Sequence, residues 1–224
     1  MISLIIPVLN EEKAIVALLD NVSALAGAKE VIVADGNSSD KTKELSASRA
    51  MVINCPRGRG PQCNAGALYA TGDIYFFLHA DSRLEEDALR KIELAVAQGA
   101  KWGCLKLRFD DTHLLTRLIA WSSNLRARWR GIVFGDQGIF ITRTLFTQMG
   151  GFPALPLMED YQLSLDLKER RIAPIQINSY ITSSARRFIT GGSLRVIWRM
   201  IRLRRLYRQG ADISIIRATY RDIR

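Results

Sequence analysis

Through its first hundred residues the chain alternates short apolar runs with stretches of helical period, joined by short polar loops. Ile2–Ile6, Glu30–Ala34, Met51–Asn54 and Asp73–Leu78 read as buried strands. Between them, Ile15, Leu18, Leu19, Val22 and Leu25 fall at helical spacing, and Gln62–Ala70 and Leu84–Gln98 read as helices. This alternation predicts an α/β fold, a mostly parallel central sheet with helices on both faces. Ligands of such sheets bind beyond the carboxyl ends of the strands. Each of the four strand exits carries polar residues: Asn10 and Glu11, then Asp35, then Arg57 and Arg59, then His79 and Asp81. Asn10 is expected to cap the first helix, with Glu11 and Glu12 in its first turn. Beyond residue 100 the pattern loosens. Trp102–Phe109 and Gly138–Thr142 look like strands and Leu114–Arg128 like a helix, and Gly150 to Pro153 break the chain before a helix opened by Met158, Glu159 and Asp160.

Charge narrows the choice of partner. The net charge of +10 is concentrated at one end: residues 186–224 hold 11 Arg and two acids, net +9, which leaves +1 on residues 1–185. Such asymmetry suits an anionic partner. Within Ser193–Gln209, Val196, Ile197, Met200, Ile201, Leu203 and Tyr207 share one helical face, with Arg195, Arg199 and Arg202 opposite. That is a basic amphipathic helix, fit either to lie in an anionic headgroup layer or to pack its apolar face on the rest of the chain. No apolar run reaches the ~18 residues of a membrane span. The opening residues MISLIIPVLNEE lack the basic stretch of a signal peptide. Cys55, Cys63 and Cys104 are odd in number and form no CxxC pair, so reduced thiols and a cytoplasmic setting are expected, with peripheral attachment to the inner face of the membrane through the tail.

Several nucleotide chemistries lack their motifs. The closest approach to a dinucleotide fingerprint, Gly58-Arg59-Gly60-Pro61-Gln62-Cys63, follows the third strand and ends in Cys. No Gly-Lys dipeptide supplies a phosphate loop, and the first strand is not followed by the Gly-rich loop of a nucleotidyltransferase. If the chain stays extended, His79 and Asp81 point the same way. An imidazole and a carboxylate then face one divalent cation, of the kind that also takes phosphate oxygens. Alternatively, Asp81 and Ser82 cap the helix that follows.

Five blocks in order resemble the family 2 inverting nucleotide-sugar glycosyltransferases of GT-A fold: Ile5 to Glu12, Val31 to Asp40, Gly58 to Ala65, Phe77 to Asp81, and Gly150 to Asp160. The Gly135-Asp136-Gln137 and Ser184-Ala185-Arg186-Arg187 stretches look closest to the subgroup called radical-SAM/selenodomain-associated transferase 2. The resemblance implies a GT-A domain over residues 1–190, Rossmann-like, followed by a basic helical extension over 191–224. It implies that Pro7, Asn10, Glu11 and Asp35 shape the nucleotide pocket, Asp35 accepting a base N–H as in a uracil edge. Arg57, Arg59, Asp136, Gln137, Arg186 and Arg187 then serve the nucleotide sugar. Asp81 matches the last acid of the family's Asp-x-Asp motif and is expected to hold Mn²⁺ or Mg²⁺. His79 stands in place of the first Asp, a departure from the motif. Asp160, with Glu159 beside it, matches the catalytic acid pair, where one base removes the acceptor hydroxyl proton.

The expected partners are a nucleotide-diphosphate sugar, UDP favoured, a hydroxyl acceptor on a lipid phosphate or small metabolite, and an anionic membrane surface met by residues 193–209. The competing readings are a surface-binding protein that uses its Arg-rich tail on membrane or nucleic acid, and a nucleotidyltransferase-like enzyme. No nucleic-acid motif supports a nucleic-acid partner, and none is expected.

Overall fold

The computed structural model describes residues 1–186, 188, 192–213 and 216. The four early strands are β1 (Ile2–Val8), β2 (Lys29–Asp35), β3 (Met51–Asn54) and β4 (Ile74–Phe77). They pair in parallel in the order β3-β2-β1-β4. The sheet continues through β7 (Ile139–Thr142), β6 (Trp102–Phe109), β8 (Ile175–Ser183) and the two-residue β5 (Arg83–Leu84). β7 runs antiparallel to β4 and β6, while β6 and β8 are parallel. Reversing β7 brings its first residue, Ile139, opposite Phe77, the last of β4. The segment just before β7 is thereby delivered to the carboxyl end of the parallel strands.

Alternation along the strands sorts the core onto two faces. Ile2, Leu4, Ile6 and Val8 join α1 (Ile15–Ala24) and α4 (Ala88–Ala97) on one side, with Leu45 of α2 (Thr42–Ala47) packed against them. Ile5 turns the other way, towards α3 (Arg59–Tyr69), α6 (Arg143–Met149) and α7 (Glu159–Glu169). A Cβ at Gly66 of α3 would lie 2.4 Å from Ile5, so glycine is what lets this helix settle on β1. Pro7 is tolerated inside a central strand because its missing N–H falls on the β4 side. Ile5 C=O accepts there from Leu78 N–H, and the β1–β4 ladder ends at Ile5.

Two longer helices among the described residues are α5 (Leu114–Arg130) and α8 (Ser193–Arg208). Val196 and Leu203 of α8 are buried in a cluster with Ile132, Met158 and Tyr161, and Met200 and Tyr207 pack against it. The apolar face expected to meet a membrane is therefore largely spent on the protein itself, leaving Trp198 and Ile201 of α8 exposed.

Some local expectations are corrected. Asn10 caps no helix: it adopts a left-handed conformation (φ 56°), and α1 begins only at Ile15. Its Oδ1 accepts from Ser39 N–H (2.8 Å), and its own N–H donates to Ser38 Oγ (2.9 Å). The extended His79-Ala80-Asp81 geometry is also absent. β4 stops at Phe77, and Ser82 N–H donates to His79 C=O (3.1 Å) to close a turn. Nor do Asp81 and Ser82 cap a helix, since β5 intervenes and α4 starts at Ala88.

Candidate active site

The loops after β1 and β2 are stitched together. Besides the Asn10 contacts, Glu11 N–H donates to Thr42 Oγ1 (2.8 Å) and Glu12 N–H to Asp40 Oδ2 (3.1 Å). Asp35, at the end of β2, is fully buried. Its Oδ2 accepts from Ser38 N–H (2.9 Å) and lies 3.8 Å from Lys43 Nζ, which fixes the turn. Its Oδ1 has no hydrogen-bond partner among the described residues. A buried carboxylate oxygen without a donor is costly.

Gln62 is a residue the sequence did not single out. It is buried on α3, and its amide donates to both Val8 C=O and Ala34 C=O (2.7 Å each), while Oε1 accepts from Gly58 N–H (3.3 Å). One side chain thus ties the exits of β1, β2 and β3. Gln62→Leu keeps the volume but removes these donors. It is expected to cost about 1–3 kcal/mol, read as a lowered urea midpoint, with the three loops no longer held in register.

A small cavity opens beyond β1 and β4, lined among others by Pro7, Arg59, His79, Gly135, Glu159 and Asp160. The acid pair opens α7 just after Met158, a non-glycine residue in the left-handed region (φ 67°). Strain of this kind persists where the surroundings over-determine it, and the buried Met158 is held in the cluster with Val196 and Leu203. Both acids also favour the positive end of the helix.

The two acids are not equivalent. Glu159 is 2% exposed, with Oε1 3.6 Å from Arg59 Nη1. Burial, and then the neighbouring Asp160 carboxylate, push the Glu159 carboxyl above its ordinary value, with Arg59 opposing. Asp160 is half-buried, and its Oδ2 accepts from Gly135 N–H (2.8 Å). Gly135 belongs to a 3-10 turn, Gly135–Gln137, that precedes β7. A Cβ at Gly135 would lie 2.7 Å from His79 Nε2 and 3.4 Å from Asp160 Oδ2. Glycine here lets backbone, imidazole and carboxylate converge.

The remaining expected residues divide. Asp136 is half-buried beside Arg126, whose guanidinium burial lowers to about 10, Asp136 opposing. Gln137 is fully buried, and its Oε1 accepts from Arg126 Nη2 (3.2 Å), a contact that braces α5. Arg57 is exposed before α3 and does not line the cavity. Arg186 is exposed beyond β8 and likewise does not line it, and Arg187 lies outside the described residues. Asp81 sits half-buried in the turn after His79.

The donor chemistry bears on a cation. Among the described residues no group of three or more His, Cys, Asp or Glu side chains could hold a metal ion. An all-protein cage is therefore not built. The His79–Asp81 turn fits the other mode, in which one carboxylate and substrate phosphates complete the coordination. The cysteines do not join in: Cys55, Cys63 and Cys104 are buried, and burial raises all three thiols, Cys104 to about 12.

Comparison with known proteins supplies the family and the fold relatives. The chain is 32% identical over 117 residues to 4,4'-diaponeurosporenoate glycosyltransferase of Staphylococcus haemolyticus, covering 48% of this chain and 31% of that protein. It is 27% identical over 154 residues to undecaprenyl-phosphate 4-deoxy-4-formamido-L-arabinose transferase of Sodalis glossinidius, covering 62% and 47%. The chain thus spans less than half the length of these curated relatives. In fold it resembles glucosyl-3-phosphoglycerate synthase of Mycobacterium tuberculosis, solved with Mn²⁺, UDP and glucosyl-3-phosphoglycerate. The TM-score is 0.65 at 22% identity, over 95% of this chain and 81% of that one. Residues 3–152 match the glycosyl transferase family 2 description, which takes in β1 to β4, the His79–Asp81 turn and Gly135, and the chain belongs to that family of glycosyltransferases.

Proposed function

We propose that the protein transfers a sugar, with inversion, from a UDP-sugar to a hydroxyl of an acceptor, and that Asp160 is the base. The observation that carries this reading is the convergence at one cavity of Asp160, its carboxylate held by Gly135 N–H, with His79 and Pro7 at the exits of β4 and β1. Inverting transfer needs one base opposite the departing diphosphate. Asp160 is half-buried and lines the cavity, whereas Glu159 is almost fully buried and engaged with Arg59. Glu159 therefore positions Arg59 and the start of α7.

Asp35 Oδ1 accepts the base N–H, with uracil favoured, and Pro7, Asn10 and Glu11 shape the walls around it. The UDP in the mycobacterial synthase supports that preference. Asp81, with His79, holds Mn²⁺ or Mg²⁺, which offsets charge on the leaving diphosphate. Arg186 and Arg187 serve the same diphosphate from beyond β8. Two acceptor classes fit: a small metabolite, whose hydroxyl gives its proton to Asp160, and a lipid phosphate, the class in the name of the undecaprenyl-phosphate transferase, whose phosphate oxygen is already largely ionised near pH 7 and attacks without needing a base. Affiliation with the radical-SAM/selenodomain-associated transferase 2 subgroup rests on Gly135–Gln137 and Ser184–Arg187. Residues 1–190 form the transferase domain and 191–224 its extension.

The test is thermal unfolding with UDP-, GDP- and dTDP-sugars, with and without Mn²⁺, on the wild type and Asp81→Ala. Ligand at about 100 times its Kd adds roughly 2.7 kcal/mol, a rise of several degrees in a chain this size. A UDP-sugar shift that requires Mn²⁺ and disappears in Asp81→Ala is expected. An equal shift in the variant removes Asp81 from the metal site, and absence of any nucleotide effect overturns the donor reading. The anomeric configuration of the product, read by proton NMR, tests inversion.

A further inference from the structure

We infer that α5 is a membrane-docking helix, which seats the enzyme on an anionic bilayer. The helix is built inside out for a globular protein. The side it buries carries Thr116, Ala120, Ser123 and Ala127. Its large apolar side chains face outward instead: Leu114 is 70% exposed, Leu118 50%, Trp121 62%, Leu125 40% and Trp129 74%. At about 100° per residue these five fall within one quarter of the helix circumference, opposite the buried side. A continuous apolar stripe of this length on a surface helix marks an interaction site.

Charge identifies the occupant. Residues 114–130 contain four Arg and no acid. Arg117 and Arg128, both exposed, flank the stripe on one side; on the other the exposed Leu115 widens it, with Arg126 and Arg130 beyond. A groove between α5 and α8, with Trp129 in its lining, also carries Arg126, Arg130 and Arg204, and α8 leaves Trp198 and Ile201 exposed. Leu and Trp in the centre with Arg along the edges is the chemistry of a helix lying in the headgroup layer of anionic lipid. A two-fold contact with a second copy would set the same arginines against themselves. The sequence pointed to residues 193–209 for this role; we assign it to α5, whose exposed apolar side chains outnumber those left exposed on α8.

The docking face lies next to the catalytic turn. Arg126 of α5 donates to Gln137, two residues from the Gly135 that holds Asp160. A membrane-borne acceptor would then approach on the side of the molecule that carries this turn, a consequence that rests on the function proposed above; the docking itself does not.

The experiment is cosedimentation of the full chain, without nucleotide, with vesicles of phosphatidylglycerol and phosphatidylcholine against phosphatidylcholine alone. The wild type is expected to partition onto the anionic vesicles in a salt-sensitive manner, with a blue shift of tryptophan emission. Leu118→Ser combined with Trp121→Ser and Trp129→Ser should weaken that partitioning at least tenfold with an unchanged melting temperature, because all three are exposed. Failure of the wild type to bind anionic vesicles, or equal binding by the triple variant, overturns the proposal. A concentration-dependent dimer in light scattering that the triple variant abolishes overturns it in favour of a second copy.

Discussion

Asp160→Asn is expected to slow sugar transfer by roughly 10²–10⁴-fold, the range that general-base catalysis contributes. Donor binding should be almost unchanged. Asparagine has the same shape and keeps an oxygen able to accept from Gly135 N–H, the bond that now holds Asp160 Oδ2 at 2.8 Å. Besides the capacity to take the acceptor proton, the variant gives up one acceptor, because a single amide oxygen cannot serve both Gly135 N–H and Tyr161 N–H, which now donates to Asp160 Oδ1 (2.7 Å). The check is single-turnover transfer alongside calorimetric binding of the nucleotide sugar. Loss of transfer with retained binding assigns the proton to Asp160; full transfer in the variant removes it from the mechanism. Arg59→Lys provides the contrast. It disturbs the ion pair with Glu159 and is expected to change affinity more than the chemical step.

Trp102→Ala should have the largest effect on stability. Trp102 opens β6 with no exposed surface, and its indole N–H donates to Ile172 C=O (2.9 Å). Truncating a fully buried tryptophan costs about 3–5 kcal/mol, a large share of the ~5–15 kcal/mol that holds a typical domain folded. For a chain of this size, with about 2–4 °C per kcal/mol, the melting temperature should fall by on the order of 10 °C. Trp102→Phe keeps most of the buried volume and should lose clearly less, the indole hydrogen bond included. Similar melting temperatures for wild type and Trp102→Ala would mean the site collapses without penalty.

The parallel half of the sheet was legible because each of its strands is a local apolar run that ends in polar residues. The acid pair was legible for the same reason, as a break at Gly150–Pro153 followed by a helix start. What escaped was set by distant partners. β8 buries Ile177, Ser179, Ile181 and Ser183 in alternation, and two of these are serines, so hydrophobicity alone does not outline the strand. Ser179 is accommodated there because its hydroxyl donates to Asp87 Oδ1 (2.9 Å). β5 exists only because β8 pairs with it. Gln62 looks like any helical glutamine until the carbonyls of Val8 and Ala34 arrive from two other elements. α5 was placed correctly as a helix, but its periodicity says nothing about which face turns inward.

The order of the strands also bears on how the chain reaches this structure. β1 and β2 pair Ile2 with Lys29 across one short crossover, whereas β5 and β8 join Leu84 to Ile181. Closing the longer loop costs more entropy before any contact repays it, and non-local pairings slow folding. The nucleotide side is therefore expected to assemble first. The side that carries Asp160 follows, once α7 is gripped between the sheet and α8. A chain caught between those stages has the Asp35 turn formed while the start of α7 is still unfixed; on the function proposed above, it takes up nucleotide before it can turn it over.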